Sequence, residues 1–220
     1  MSTPNEASRI LTSEATAALG PLGLKQKGRS RTWLDDHGWW IGVVEFQPSS
    51  WSQGASLNVG CCLLWNTKDY ISYDLGDRAE RHLKFEDSEQ FRPHAKQLAL
   101  LASKDVELWR KTLPNVASLS TYYNSRALPD NLWPQFHAAI AAGLSGDASR
   151  ATEYFSQIGP PSDGDYAWMA EAKARAAKLQ TLLPDLEAFR NEIAVGVQQC
   201  RKLMKLPPLT NVKFDGPQIL

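Results

Sequence analysis

The chain has 220 residues, 43% of them hydrophobic and 22% charged, with 24 Lys plus Arg balanced by 24 Asp plus Glu. This is the composition of an ordinary globular protein with enough chain to bury a real core, which excludes the disordered and fibrous classes. Zero net charge also excludes a whole-molecule field that would draw the chain to nucleic acid or an anionic membrane, so any polyanion contact must be local.

The N-terminal "MSTPNEASRI" lacks the basic flank and apolar core of a secretory signal, and no stretch approaches the roughly 20 apolar residues of a membrane span. A cytoplasmic location is expected, with no membrane partner. From Asn5 to Leu19, Ile10, Leu11, Ala15, Ala18 and Leu19 recur near helical spacing, and "GPLG" stops the helix. Three strands are then predicted, over roughly 24–34, 39–47 and 54–65, joined by "DDHG" and "PSSWSQG" as an antiparallel meander.

The first strand carries the most distinctive pattern. In "KQKGRSRTW" a cation stands at every second position, Lys25, Lys27, Arg29 and Arg31, followed by Trp33. An extended strand places these on one face. Trp33, Trp39, Trp40, Trp51 and Trp65 all fall in the predicted sheet region. An even hairpin loop would pair Trp33 with Trp40 and put the cations on the apolar side, which conflicts with the cost of burying charge. An odd loop, with Gly38 left-handed, pairs Trp33 with Trp39, Arg31 with Ile41, Arg29 with Val43 and Lys27 with Glu45. That register leaves Trp40, Val44 and Phe46 for the core, and it is the one expected.

Three readings of the stripe follow. It is a solvated face that guards a sheet edge, a protein-binding face rich in Arg and Trp, or a nucleic-acid face that combines phosphate contact with stacking.

Beyond Asn66, "TKDYISYDLGDRAE" reads as a loop. Asp69, Asp74, Asp77 and Glu80, with Tyr70 and Tyr73, are the one local cluster with the residue types for acid–base or metal chemistry, but their irregular spacing suits a solvated acidic connection. "RHLKFED" is a short strand candidate. A helix capped by Ser88 with Pro93 in its early turns, and a second over Lys104–Leu113, precede a helical hairpin of "NLWPQFHAAIAAGL" and "DASRATEYFSQI". A final helix begins near Pro184, with Leu186, Phe189, Ile193, Val197, Cys200 and Met204 as an apolar seam. Its tail is irregular.

Catalytic signatures are missing. His37, His82, His94 and His137 form no ligand pair, Cys61, Cys62 and Cys200 match no metal spacing, and no serine elbow, phosphate loop or dinucleotide fingerprint occurs. No cofactor or metal is expected. The expected fold is α+β: an N-terminal helix with an antiparallel sheet of three or four strands, then a mainly helical half, divided as 1–112 and 113–220.

The pieces "LGPLGLKQKGRSRTW", "WWIGVVEFQPSS" and "SLNVG" resemble a bacterial domain family of unknown function over roughly residues 6 to 110. The resemblance implies an α+β module of the bacterial cytoplasm with no established catalytic centre. "GDASRATEYF", within residues 133–158, resembles the second helix of a tetratricopeptide repeat. A single copy cannot bury its own apolar face, so it reads as a hairpin completing the core.

These readings converge on a non-enzymatic protein-interaction module, by class analogy an immunity protein that sterically occludes a toxin. The candidate surface is Lys25, Lys27, Arg29, Arg31, Trp33 and Trp39, together with Asp69, Asp74 and Asp77. The alternatives are a sheet-based nucleic-acid binder and a hydrolase or metal enzyme built on Asp69–Asp77.

Overall fold

A computed structural model describes residues 5–48 and 54–216. Trp51 lies outside the described residues. The fold is α+β, with elements in the order α1 (Asn5–Leu19), β1 (Lys25–Gln26), β2 (Thr32–Asp36), β3 (Trp40–Gln47), β4 (Gly54–Leu63), β5 (Leu75–Lys84), α2 (Ser88–Thr112), α3 (Val116–Asn124), α4 (Leu132–Leu144), α5 (Ala148–Ile158), α6 (Ala167–Leu182) and α7 (Leu186–Leu203). The chain forms two compact units, one of Met1–Leu63 with Ile71–Lys111, the other of Leu64–Tyr70 with Thr112–Leu220. No helix among the described residues is long and apolar enough to cross a membrane.

The first unit is an antiparallel sheet in the order β1-β2-β3-β4-β5. Its core joins Ile10, Leu11, Ala15 and Leu19 of α1 and Phe91, Ala95, Leu98, Ala99, Ala102 and Val106 of α2 to Trp33, Val44, Phe46, Leu57 and Val59 of the sheet. Helical spacing in α1 and α2 and alternation in β2, β3 and β4 supply this face. Ile41, Val43 and Cys62, on the other sheet face, are buried as well.

The sheet has five strands because "KQKGRSRTW" is not one strand. Lys25 and Gln26 pair back onto Leu34 and Trp33, and the chain turns between them. Gly28 takes φ +58°, the Lys27 N–H donates to the Thr32 carbonyl at 2.9 Å, and the Ser30 hydroxyl donates to the Lys27 carbonyl at 2.7 Å. At the other edge β5 starts at Leu75, well before the "RHLKFED" candidate.

The β2–β3 register corrects the expected one. Trp33 pairs with Val44, Thr32 with Glu45 and Asp36 with Ile41; Trp33 does not face Trp39, nor Lys27 Glu45. Gly38 is left-handed, at φ +83°, as expected. Around it the hairpin closes tightly, with the His37 N–H donating to the Trp40 carbonyl at 3.0 Å and Asp36 Oδ1 accepting from the Gly38 N–H at 3.0 Å. Trp33 opposite Val44 is the facing that an even loop gives, one that sends a continuous strand's cations to the apolar face. The chain avoids that outcome by turning at Gly28, which removes Lys25, Lys27 and Arg29 from β2 altogether.

Helix α2 is continuous across the break expected near Lys104, because Ala99, Ala102 and Val106 prolong its buried seam. In the second unit, α4 and α5 form the expected hairpin, with Asp147 capping α5 by accepting the Arg150 N–H at 3.0 Å. Asp185 caps α7 in the same way through the Ala188 N–H. Phe189, Ile193, Val197 and Cys200 are buried as the seam requires, while Leu186 is exposed. The irregular tail is anchored rather than loose. Leu209 and Phe214 are buried, and the Val116 N–H donates to the Phe214 carbonyl at 2.9 Å.

Candidate functional site

The basic stripe does not form a shared face. Lys25, Lys27 and Arg29 are exposed on the β1–β2 hairpin, with Arg29 in its turn. Arg31 is half-buried on the helix-covered side, where its Nε donates to the Ser8 hydroxyl at 3.2 Å and its Nη1 to the Gly54 carbonyl at 2.9 Å. Burial lowers its pKa from the ordinary arginine value. Trp33 and Trp39 are each only 2% exposed, and Trp33 packs edge-on against Phe46 at 5.5 Å. Neither indole can stack on a partner. The pairing of Glu45 instead gives a polar strip, in which Asn58 donates to Glu45 at 3.2 Å and the Tyr73 hydroxyl to Glu45 at 3.4 Å. Burial, then the Glu45 charge, raises the Tyr73 phenol well above its usual value.

The three aspartates serve separate local purposes. Asp74 Oδ2 accepts the Leu63 N–H at 2.7 Å and its Oδ1 the Ser72 hydroxyl at 2.8 Å, so it fastens β4 to the segment leading into β5. Exposed Asp77 accepts the Arg78 N–H. Asp69 belongs to the other unit. No group of three or more His, Cys, Asp or Glu among the described residues is placed to hold a metal ion.

A buried carboxylate that the pattern did not single out is Asp35. Arg110 grips it in bidentate fashion, Nε to Oδ2 at 2.8 Å and Nη2 to Oδ1 at 2.7 Å, and His37 Nε2 meets Oδ2 at 2.8 Å. His37 in turn stacks on Trp40 at 4.1 Å. Burial works against ionisation of Asp35, but the hydrogen bonds from Arg110 and His37 outweigh it and hold the carboxyl below its ordinary pKa. With both oxygens engaged, this cluster locks α2 to the β2–β3 hairpin.

One concave site lies in the helical unit. A cavity of about 590 Å³ is lined by Asn66–Tyr70, Trp133 of α4, and Trp168, Glu171, Ala172 and Arg175 of α6. The α6 residues fall at i, i+3, i+4 and i+7, one continuous helix face. Trp133 stacks between His137 and Trp168, with ring centroids 6.0 Å apart on both sides and planes 22° and 16° from parallel. Buried Trp65 fixes the base of this stack, its indole N–H donating to His137 Nδ1 at 2.9 Å. An acceptor at Nδ1 places the imidazole proton on Nε2. The outer indole is open: Trp168 is 49% exposed, and Tyr70 59%.

Arg175 supplies the charge. Its Nη2 donates to the Trp65 carbonyl and its Nη1 to the Thr67 hydroxyl at 3.3 Å, which ties the 66–70 wall to α6. It makes no ion pair among the described residues, and its Nε is buried without a hydrogen-bond partner. Desolvation lowers its pKa from the ordinary value and outweighs the opposing charge of Glu192, which forms its ion pair with Lys178 and not with Arg175. Asp69 and Glu171 are exposed. The sequence signal for this site was "WMAEAKAR", a helical stripe of mixed polarity that apolar periodicity does not flag.

Comparisons with protein-family models, with curated proteins and with solved structures found no match.

Proposed function

We propose that the chain is a non-enzymatic protein-interaction module whose contact surface is the aromatic rim of the cavity in the helical unit. The observation that carries this reading is the exposure of large aromatics at one mouth. Tyr70 and Trp168 line the cavity, and Tyr166, outside the lining and two residues before Trp168 in sequence, is 73% exposed. Exposed Trp and Tyr beside an Arg are the residue types that most often carry binding energy at protein interfaces. A pocket of several hundred Å³ with a few polar groups is a binding concavity.

The basic hairpin is secondary in this reading. Its cations are solvated, and its indoles are in the core, so it offers charge without an anchor. An immunity role makes the partner a toxin whose active face this rim would occlude. The test is a photo-crosslinking side chain placed at Tyr166, and separately at Arg29, in cells of the native host. The proposal expects one dominant protein adduct from position 166 that Trp168→Ala abolishes. Adducts only from position 29, or none from 166, would overturn it. Co-expression with that partner then tests immunity directly, through rescue of growth.

A further inference from the structure

The cavity joins an open aromatic face to a guanidinium that makes no direct ion pair among the described residues, and that combination specifies an anchor. Arg175 has used one Nη2 donor and one Nη1 donor on its own chain, and Nε has none. An ionised oxygen brought to this partly buried guanidinium, which has no ion-pair partner among the described residues, gains a charge-assisted hydrogen bond that the free protein lacks. The stacked column of His137, Trp133 and Trp168 ends in a half-exposed indole, onto which a further ring adds by the same offset stacking. Asp69 and Glu171 are at solvent-exposed positions, where their repulsion of an anion is screened and where they can accept N–H groups.

We infer that the cavity anchors its protein partner by an aromatic residue bearing a carboxylate, the ring on Trp168 and the carboxylate on Arg175, as a chain-terminal Trp, Tyr or Phe presents them. This rests on the interaction-module reading and names the partner's chemistry. The volume of about 590 Å³ accommodates such a residue with its preceding peptide group. The ring supplies apolar contact, and the carboxylate supplies discrimination, because a neutral carbonyl at Arg175 accepts a weaker hydrogen bond than an ionised oxygen does.

The experiment is calorimetric titration of the full chain with N-acetyl-L-tryptophan and with its neutral amide, alongside AMP and adenosine. The wild-type protein is expected to bind the acid at least tenfold more tightly than the amide. Arg175→Met is expected to bring that ratio to about one while ring binding persists, and Trp168→Ala to weaken acid and amide together. Thermal melts check that the variants fold; the wild-type ratio stands without them. Equal affinity for acid and amide, or no binding of either, overturns the inference. AMP binding without N-acetyl-L-tryptophan binding overturns it in favour of a nucleotide. If the adduct from position 166 still forms when the titration fails, the interaction-module reading survives and only the anchor is wrong.

Discussion

Gly196 makes the room that Arg175 occupies. A Cβ at this position of α7 would collide with Arg175 Nη2 and would sit 2.9 Å from the Trp65 carbonyl oxygen, the acceptor that orients the guanidinium. Position 196 therefore controls the site from outside it. Gly196→Ala is expected to displace Arg175 and to cost about 1–3 kcal/mol, the range for forcing an extra methyl into packed structure. Urea denaturation reads the cost as a lower midpoint at unchanged slope, and the acid-to-amide ratio should fall alongside.

The Trp65–His137 hydrogen bond gives a second prediction. His137→Phe keeps a ring beneath Trp133 but removes the acceptor that the buried Trp65 indole N–H bonds, which costs about 1–3 kcal/mol. A denaturation midpoint matching wild type would show that this bond contributes nothing.

Asp35 makes stability depend on pH. Its folded pKa is depressed, so its contribution is fully present above the unfolded carboxyl value of about 3.9 and disappears as pH falls through the lower folded value. Asp35→Asn should cost about 2–3 kcal/mol at pH 7, below the ~3–5 of a fully buried pair because Arg110 is a third exposed. The gap between variant and wild type should narrow in the acid limb below pH 4. A constant gap from pH 7 to pH 3 would contradict the ion-pair account.

The hairpin cations should separate by environment. Lys27→Glu and Arg29→Glu, both exposed, are expected to change stability by no more than about 0.5 kcal/mol. Arg31→Ala removes the bonds to Ser8 and Gly54 and should cost about 1 kcal/mol or more. Denaturation of the three variants checks the ordering.

Much of the fold was legible in local pattern, and the site was not. The spacing of Ile10, Leu11 and Ala15 marked α1, and the alternation of Trp40, Val44 and Phe46 marked the core face of β3. What misled was Asp35. A charged residue reads as a turn, yet it stays in β2 because Arg110, 75 residues later, pairs with it. No local pattern reports a partner at that distance. The same error ended β2 too early and shifted the register, which made Trp33 and Trp39 look exposed. The helical unit failed differently: α6 is rich in alanine with scattered charge, and its one informative stripe, Trp168, Glu171, Ala172 and Arg175, faces a cavity rather than a core. The "NTKDY" wall belongs with these helices only through tertiary contacts such as Arg175 to Trp65.

The central claim is that Trp168 and Arg175 form one binding site, and indole N–H resonances in a two-dimensional NMR titration with N-acetyl-L-tryptophan test it most directly. With signals assigned by single Trp→Phe variants, those of Trp168 and Trp133 are predicted to shift together and saturably, while those of Trp33 and Trp39 stay fixed. Unmoved Trp168 and Trp133 signals at saturating acid, or shifts confined to the sheet tryptophans, would contradict the account.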